Sequence, residues 1–341
     1  MRAVVTGDLH FSLYASDNIM KDGLNERLHY INKVMRNSIL KYAVDNKIDN
    51  CIVAGDIFHN KSIIHSLALA TFIDIIREYQ QIQFYLIDGN HDMSSITGKG
   101  VSSLKALEKE MNVIVIHTPL QIDNIYMVPW NNKLHDEIKQ APKECDYLIS
   151  HFGLNEGMLS SGVSIISDLG MKDLTNFKYV ILGHYHKPQE IQKNNTQLYY
   201  VGSPVQLDRG ERNEAKRFLD IDFDQNNILS IETEGYKKYF QFNIADNTNV
   251  KDIIQQAKKL EKAGHEVTLE LTGENLDNSK IPDNFRQIDR RDIDITDRGV
   301  SLNMSEKDRM TAYLNIKKIP ENDHEMYLNT AIEIIGDSIN S

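Results

Sequence analysis

The sequence has few cysteines and no excess of basic residues. Its 341 residues include only Cys51 and Cys145, which form no CxxC pair, so neither a disulfide framework nor a cysteine zinc site is indicated. Asp and Glu number 49 against 38 Lys and Arg, a net charge of −11 with His neutral. That balance argues against a protein that holds nucleic acid or an anionic membrane by bulk charge. A phosphate substrate stays possible, because bound cations can reverse the field locally.

Long apolar segments are also missing. Asp8 interrupts the N-terminal apolar run too early for the core of a signal peptide, and the apolar window at 63–76 is shorter than the ~18 residues of a membrane span. We therefore expect a soluble, intracellular, cytoplasmic protein. Hydrophobic residues still make up 41% of the chain, enough for a sizeable core. At a prior of ~150 residues per domain, the length suggests two or three structural units.

Short β-branched runs alternate with long amphipathic segments over the first two thirds of the chain, which is the pattern of a layered α/β fold. Apolar residues repeat every three or four positions over 24–42 and again over 64–79, which predicts two helices. The runs between them are apolar throughout, as expected for strands covered on both faces. Strands are predicted at 2–7, 51–55, 84–88, 113–117, 125–130, 147–151 and 179–184.

The character of the sequence changes near residue 198, where short strands follow one another without a long helix between them. From about residue 238 a smaller unit is indicated, with a helix near 249–263 between strands. Two further helices are predicted near 306–317 and 328–339.

Histidines concentrate at the ends of the predicted strands. Ten of the twelve fall in the first 186 residues, and several sit beside Asp, Asn or Gly. In an open α/β sheet the carboxyl ends of the strands form the crevice where ligands bind, so these sites are expected to converge. The sites are Gly7-Asp8-Leu9-His10, Gly55-Asp56-Ile57-Phe58-His59, Gly89-Asn90-His91-Asp92, Ser150-His151 and Gly183-His184-Tyr185-His186.

The residue types in these sites are those of a transition-metal centre. In an extended segment, residues i and i+2 project to the same side, so Asp8 with His10, and His184 with His186, can each direct two ligands toward one point. Imidazole with carboxylate and amide oxygen suits Mn²⁺, Fe²⁺ or Zn²⁺ better than the all-oxygen shells typical of Ca²⁺ or Mg²⁺. The candidate ligands exceed the needs of one ion, which indicates two metals ~3.5–4 Å apart with a bridging carboxylate.

The ordinary explanation of each site is a chance arrangement of polar residues. A DxH pair alone often arises by chance. Five such sites in this order, each directly after a predicted strand, make chance a weak explanation. The remaining histidines lie outside the pattern, and we expect them to be surface or core residues with ordinary partners: His29, His65, His117, His135, His265 and His324.

The five sites, in this order, resemble the motifs of the calcineurin-like metallophosphoesterase superfamily, and they cover residues 8–186. SHFGLNEG at 150–157, GHYHKPQ at 183–189, and YVGSPVQ at 200–206 with Gly210-Glu211 and Lys216 are similar to the SbcD-type double-strand-break repair nucleases of that superfamily. The resemblance implies an α/β fold with a layered α/β/β/α nuclease core over 1–236 and a small α+β capping domain over 237–300. It also implies C-terminal helices over 301–341 that bind an SbcC-type ABC ATPase.

The resemblance further implies a role for each site residue. Asp8, His10 and His186 would bind one metal, Asn90, His151 and His184 the other, and Asp56 would bridge the two. His91 matches the residue that contacts the scissile phosphate and supplies a proton. His59 matches one that helps to position that phosphate. Asp92 would fix the tautomer of His91 or of a ligand.

The activity implied by the resemblance is DNA cleavage with Mn²⁺ as the usual metal. It comprises 3′→5′ exonuclease action on double-stranded DNA and endonuclease action on single strands and hairpins, in a homodimer that works with the ATPase. Two cations would polarise the phosphate oxygens and lower the pKa of a bound water. An imidazole, with a pKa of ~6.5, can protonate the leaving oxygen at neutral pH.

Two other functions stay open at this point. One is a two-metal phosphoesterase of the same fold that acts on small phosphate esters. The other is a non-catalytic scaffold of the ATPase complex, which would bind metal without hydrolysis. The helical stripe at 64–79 fits either a dimer surface or core packing.

The sequence also leaves open which residues would contact DNA. Basic residues cluster after the last metal motif and would either contact DNA phosphates or form a solvated face with Glu211 and Glu214. These residues are Lys187, Lys193, Arg209, Arg212, Lys216 and Arg217.

Overall fold

The computed structural model describes most of the chain and divides into two compact units, one over Met1–Tyr239 and one formed by the described residues from Phe240 onward. No helix in the described part of the chain is long and apolar enough to cross a membrane. The described residues are 1–14, 20–61, 63–95, 97–163, 167–246, 248–273, 276–290, 306–317, 319–320, 324 and 327–328.

The strands of the first unit form two six-stranded sheets and a short hairpin, β2–β3. In the first sheet, ordered β14-β13-β1-β4-β5-β6, strands β1, β4, β5 and β6 are parallel. In the second, ordered β11-β12-β10-β9-β8-β7, the four central strands are parallel and both edge strands antiparallel. The strands are β1 (Arg2–Thr6), β2 (Met20–Lys21), β3 (Leu24–Asn25), β4 (Asn50–Val53), β5 (Gln83–Ile87), β6 (Val113–Ile116), β7 (Leu120–Ile122), β8 (Ile125–Val128), β9 (Tyr147–His151), β10 (Tyr179–Gly183), β11 (Gln189–Lys193), β12 (Thr196–Tyr200), β13 (Arg217–Asp222) and β14 (Asn227–Glu232).

The two sheets share one apolar layer. Val5 and Ile52 of the first sheet are buried in the same cluster as Ile149 and Ile181 of the second. Because side chains alternate along a strand, the neighbouring Val4 faces the opposite way, into a second core against the helices. A third core covers the outer face of the second sheet. These layers confirm the predicted α/β/β/α architecture.

Helices cover the outer face of the first sheet. α1 (Glu26–Val34) continues through a π-helical segment (Met35–Leu40) into α2 (Lys41–Asp45). The Asn25 side chain caps α1 by accepting a hydrogen bond from Leu28 N at 3.1 Å. The helix therefore begins two residues later than predicted, since Leu24 pairs in the β2–β3 hairpin.

The second predicted helix is α3 (Ser66–Glu78). Its apolar stripe is buried in the core of the same chain, with Ala68, Phe72 and Ile75 fully enclosed. Core packing thus explains the stripe. Several short elements escaped sequence-based prediction, among them α4 (Leu134–Lys139), the hairpin β2–β3 and the edge strands β7 and β11, where too few residues carry a periodic signal.

The second unit is a small α+β structure. Its elements are β15 (Tyr239–Ile244), α5 (Val250–Lys262), β16 (Glu266–Leu271), β17 (Arg286–Asp289) and α6 (Glu306–Ile316). The sheet order is β15-β16-β17, and Ile254 and Ala257 of α5 share an apolar core with Val267 and Leu269. The predicted last helix near 328–339 lies almost wholly outside the described residues.

Candidate metal centre

The carboxyl ends of five parallel strands supply the candidate site. In the first sheet the loops after β1, β4 and β5 carry its residues, and in the second sheet β9 and the loop after β10 do so. These loops bring together all nine predicted site residues: Asp8, His10, Asp56, His59, Asn90, His91, His151, His184 and His186.

Sharp backbone bends set the directions of these side chains. The φ angle is 51° at Asp8, 50° at His10, 55° at Asp56 and 97° at His184, all in the left-handed region. Such residues cost of order 1–3 kcal/mol each and cluster at functional sites. The expectation of extended segments at 8–10 and 184–186 is therefore wrong. The bend at His184 sends it and His186 to different groups of ligands.

Asp8, His10 and His186 form the first group. Their ligand atoms lie within 4.8 Å of one another, and the Nε2 atoms of His10 and His186 are 3.0 Å apart. Both carboxylate oxygens of Asp8 accept the backbone N–H of His184 at 3.0 Å, which fixes the plane of that carboxylate.

Asn90, His151 and His184 form the second group. Asn90 Oδ1 lies 3.0 Å from His151 Nε2 and 3.0 Å from His184 Nδ1. His151 Nδ1 lies 2.8 Å from the carbonyl oxygen of Ala54. Because a carbonyl can only accept, that nitrogen carries a proton and His151 Nε2 is the nitrogen left to bind a cation.

Asp56 lies between the two groups. Its Oδ2 is 3.3 Å from His151 Nε2 and 3.6 Å from His10 Nε2. Its Oδ1 accepts the backbone N–H of His91 at 2.8 Å. One buried carboxylate thus faces both groups and also fixes the loop that carries His91.

The residues present fit two divalent cations. Metal–ligand bonds to imidazole and carboxylate are about 2.0–2.2 Å, so two ligands at a right angle on one ion lie about 3 Å apart. The separations of 3.0–3.6 Å within the groups match that spacing. Acceptor atoms converging in a buried site repel one another unless a cation or proton lies between them.

The charges in the cluster also suit cation binding. Burial would raise the pKa of Asp56, but the His151 and His10 imidazoles outweigh it and hold that pKa well below its usual range. Burial lowers the pKa of His10 well below 6.5 and that of His184 to about 3. Burial also opposes protonation of His151, but Asp56 raises the pKa of that imidazole to about 9. Cation binding would therefore release a proton from His151.

Gly55 has no side chain and so leaves space for the His151 ring in this cluster. It has a φ of +84°, and a Cβ at this position would lie 2.5 Å from Cγ of His151. Gly162 offers a matched control, with the same φ of +84° and nothing within 4 Å of such a Cβ.

We predict that Gly55→Ala destabilises the fold by about 1–3 kcal/mol more than Gly162→Ala does, since both carry the backbone cost and only Gly55→Ala overpacks the site. Urea unfolding of the metal-free proteins measures the difference. Equal destabilisation by the two substitutions would show that the His151 ring yields to the added methyl group.

His91 and His59 lie beside the first group. Their rings are stacked, with centroids 5.5 Å apart, and His59 Nδ1 is 3.3 Å from His10 Nδ1. His91 Nδ1 lies 2.6 Å from the backbone oxygen of His59, so this nitrogen carries a proton. His91 Nε2 is left to exchange a proton with a ligand.

Asp92 does not fix the tautomer of His91 as expected, because a backbone oxygen does so. The buried Asp92 carboxylate instead accepts the N–H groups of Ile57, Phe58 and Gly89 at 3.0–3.3 Å. It ties the loop after β4 to the loop after β5. Burial and the neighbouring Asp56 raise the pKa of Asp92 well above its usual value.

Some of the basic residues considered for DNA contact form ion pairs within the protein. Lys216 is fully buried, with Nζ 2.7 Å from Glu211 and 2.8 Å from Glu214. Arg217 pairs with Glu190 at 2.5 Å. Lys216 therefore cannot contact DNA phosphates, because leaving the interior would break two ion pairs.

Several histidines outside the pattern have ordinary partners, whereas the buried Nε2 atom of His135 has no hydrogen-bond partner among the described residues. His65 Nδ1 caps α3 by accepting Leu67 N at 3.2 Å. His117 lies between Asp88, at 2.5 Å, and Glu108, at 3.1 Å, and the hydrogen bond to Asp88 raises its pKa.

Glu211 is a site residue that sequence-based prediction left without a role. Its Oε1 lies 2.8 Å from His186 Nδ1. The available signal was its place in the segment from Gly210 to Lys216 that resembles SbcD-type nucleases.

Comparison with known proteins gives matches over the part of the chain that carries these residues. The sequence profile of the calcineurin-like phosphoesterase family matches residues 1–188. The SbcD component of nuclease SbcCD from Staphylococcus epidermidis is 23% identical over 265 residues, which cover 66% of this chain and 68% of that protein. The DNA double-strand break repair protein Mre11 of Archaeoglobus fulgidus is 21% identical over 211 residues, 53% of this chain and 46% of that protein.

A protein of Invertebrate iridescent virus 6 that is named as a phosphoesterase, 244L, is 29% identical over 181 residues. That match covers 48% of this chain and 61% of the viral protein. The chain thus spans between about half and two thirds of the length of these relatives.

Proposed function

The chain belongs to the calcineurin-like phosphoesterase family, and on that premise we propose that it is a metal-dependent DNA nuclease. It would cleave double-stranded DNA as a 3′→5′ exonuclease and single strands or hairpins as an endonuclease. Mn²⁺ is the proposed metal. The partners would be DNA, an SbcC-type ABC ATPase and a second copy of this chain.

The observation that carries the proposal is the position of Asp56. One of its oxygens faces both ligand groups, and the other binds the backbone N–H of His91. The carboxylate that would bridge two cations thus also holds the loop of the residue that would handle the leaving group. Two divalent ions would polarise the scissile phosphate and lower the pKa of a bound water.

The chain's own residues would orient the phosphate and move a proton. The backbone oxygen of His59 fixes Nδ1 of His91, so Nε2 is the atom that would donate a proton to the leaving oxygen. The stacked His59 ring limits the movement of His91 and would help to position the phosphate. Desolvation of the cluster strengthens each of these interactions.

The choice of DNA as the substrate is supported by two relatives, one named as part of a nuclease and one as a double-strand break repair protein. Residues 1–236 would be the nuclease domain and 237–300 a capping domain, with 301–341 as the helical segment that binds the ATPase. The viral relative's name keeps a second candidate, a phosphoesterase acting on small phosphate esters.

A substrate comparison tests the proposal. Purified protein is incubated with linear duplex DNA, single-stranded circles and an aryl phosphate ester, each with Mn²⁺ or EDTA and with or without the ATPase partner. We expect Mn²⁺-dependent cleavage of both DNA substrates, abolished by EDTA. Turnover of the aryl ester alone would support the small-ester candidate. Metal binding without any hydrolysis would support the non-catalytic scaffold.

A further inference from the structure

His186 and His151 each direct Nδ1 at an oxygen acceptor outside the two ligand groups, but the two acceptors differ in charge. His151 Nδ1 faces the neutral carbonyl of Ala54. His186 Nδ1 lies 2.8 Å from a carboxylate oxygen of Glu211. Because an ionised carboxylate can only accept, the proton of His186 lies on Nδ1 and Nε2 faces His10.

Both oxygens of Glu211 are fixed by neighbours. Oε1 faces His186, while Oε2 lies 3.0 Å from Leu207 N, 3.2 Å from Ser203 Oγ and 2.7 Å from Lys216 Nζ. The Glu211 side chain is buried, with 3% of its surface exposed. It therefore has one orientation, and that orientation sets the angle of the His186 ring.

Lys216 binds both partners of the hydrogen bond between His186 and Glu211. Its buried ammonium group binds Glu211 at 2.7 Å, Glu214 at 2.8 Å and the backbone oxygen of His186 at 2.9 Å. A buried charge is costly unless paired and hydrogen-bonded, and here all three donors have acceptors. Lys216 thus links the backbone of His186 to the carboxylate that touches its ring.

These contacts come from residues 203–216, beyond the part of the chain that the family profile matches. We propose that Glu211, anchored by Lys216, is a positioning residue that fixes the tautomer of His186 and makes Nε2 a more basic ligand for the cation held with Asp8 and His10. The inference rests on the role of His186 as a metal ligand in the proposed function. It adds a required part of the site outside the nine predicted residues.

Cation binding separates this role from a structural one. Mn²⁺ is titrated by calorimetry into metal-free wild type, Glu211→Gln and Glu214→Gln. Glu214 is the matched control, because it pairs with the same lysine and has no described contact with His186. We expect Glu211→Gln to weaken one of two Mn²⁺ sites by roughly 10–100-fold and to leave the other unchanged. Glu214→Gln should leave both sites within about threefold of wild type.

The tautomer of His186 provides a readout that does not depend on metal or activity. In ¹⁵N spectra of the metal-free wild type we expect His186 to be protonated at Nδ1, with that signature lost or mixed in Glu211→Gln. Wild-type affinity at both sites in Glu211→Gln, equal weakening of both sites, or an Nε2-protonated His186 in wild type would each overturn the inference. A wild type that binds no Mn²⁺ would refute the proposed function, and the tautomer would still decide the role of Glu211.

Discussion

Replacing His91 by alanine should remove DNA hydrolysis while leaving cation binding intact. General acid catalysis by a positioned side chain contributes typically 10²–10⁴-fold, and we expect kcat on linear duplex DNA to fall by about that factor. Cation affinity should persist, because Asp56 binds the backbone N–H of His91, which alanine retains. The measurements are single-turnover cleavage with saturating Mn²⁺ and calorimetric Mn²⁺ titration of the same preparation.

His29→Ala is the control for losing a histidine from the same unit, since His29 pairs with Asp22 away from the cluster. It should cleave DNA at close to the wild-type rate. Full nuclease activity in His91→Ala with metal retained would refute the assigned role. Loss of metal together with activity would instead make His91 part of the metal site.

Replacing Asp56 by asparagine should disable both cation sites at once. Loss of a residue that only supports a ligand costs about 10–100-fold in metal affinity, and loss of the carboxylate that faces both groups should cost more than that at each site. Because the neighbouring imidazoles hold the pKa of Asp56 well below its usual range, its charge is present before metal binds. Asparagine keeps the shape and removes that charge.

Asp220→Asn is the matched control for this change. Asp220 is also a buried carboxylate, but it binds Arg2 and Tyr42 in the first sheet. The Asp220→Asn substitution should lower the free energy of unfolding without changing the affinity for Mn²⁺. Retention of either cation at wild-type affinity in Asp56→Asn would contradict the bridging position.

Much of the fold and most of the site follow from local signals. Apolar runs such as those of β4 and β9 predict strands that are covered on both faces. The polar residues that follow these strands then lie at the same edge of a parallel sheet, where ligands bind. The family resemblance then divided the candidate ligands into two groups. The spacing of residues i and i+2 did not predict this division, because it assumes an extended backbone. The left-handed backbone at His184 is set by the contact of its N–H with Asp8, and the local sequence pattern does not predict it.

Contacts between residues that are far apart in the sequence, or on different loops, account for the features that the local pattern did not predict. Lys216 looked like a surface cation, since its burial depends on Glu211 and Glu214 folding around it. Asp92 stood next to His91 in the sequence but bonds to backbone groups of another loop. The π-helical turn at Met35–Leu40 likewise has no signature in an uninterrupted amphipathic stripe.

The number of cations bound per chain tests the central claim most directly. Metal-free wild type is titrated with Mn²⁺ by calorimetry, and the metal content of the saturated protein is measured after gel filtration. Two ligand groups joined by Asp56 predict two Mn²⁺ per chain, with proton release from His151 on binding. A single bound ion per chain would contradict a two-metal centre built from these residues.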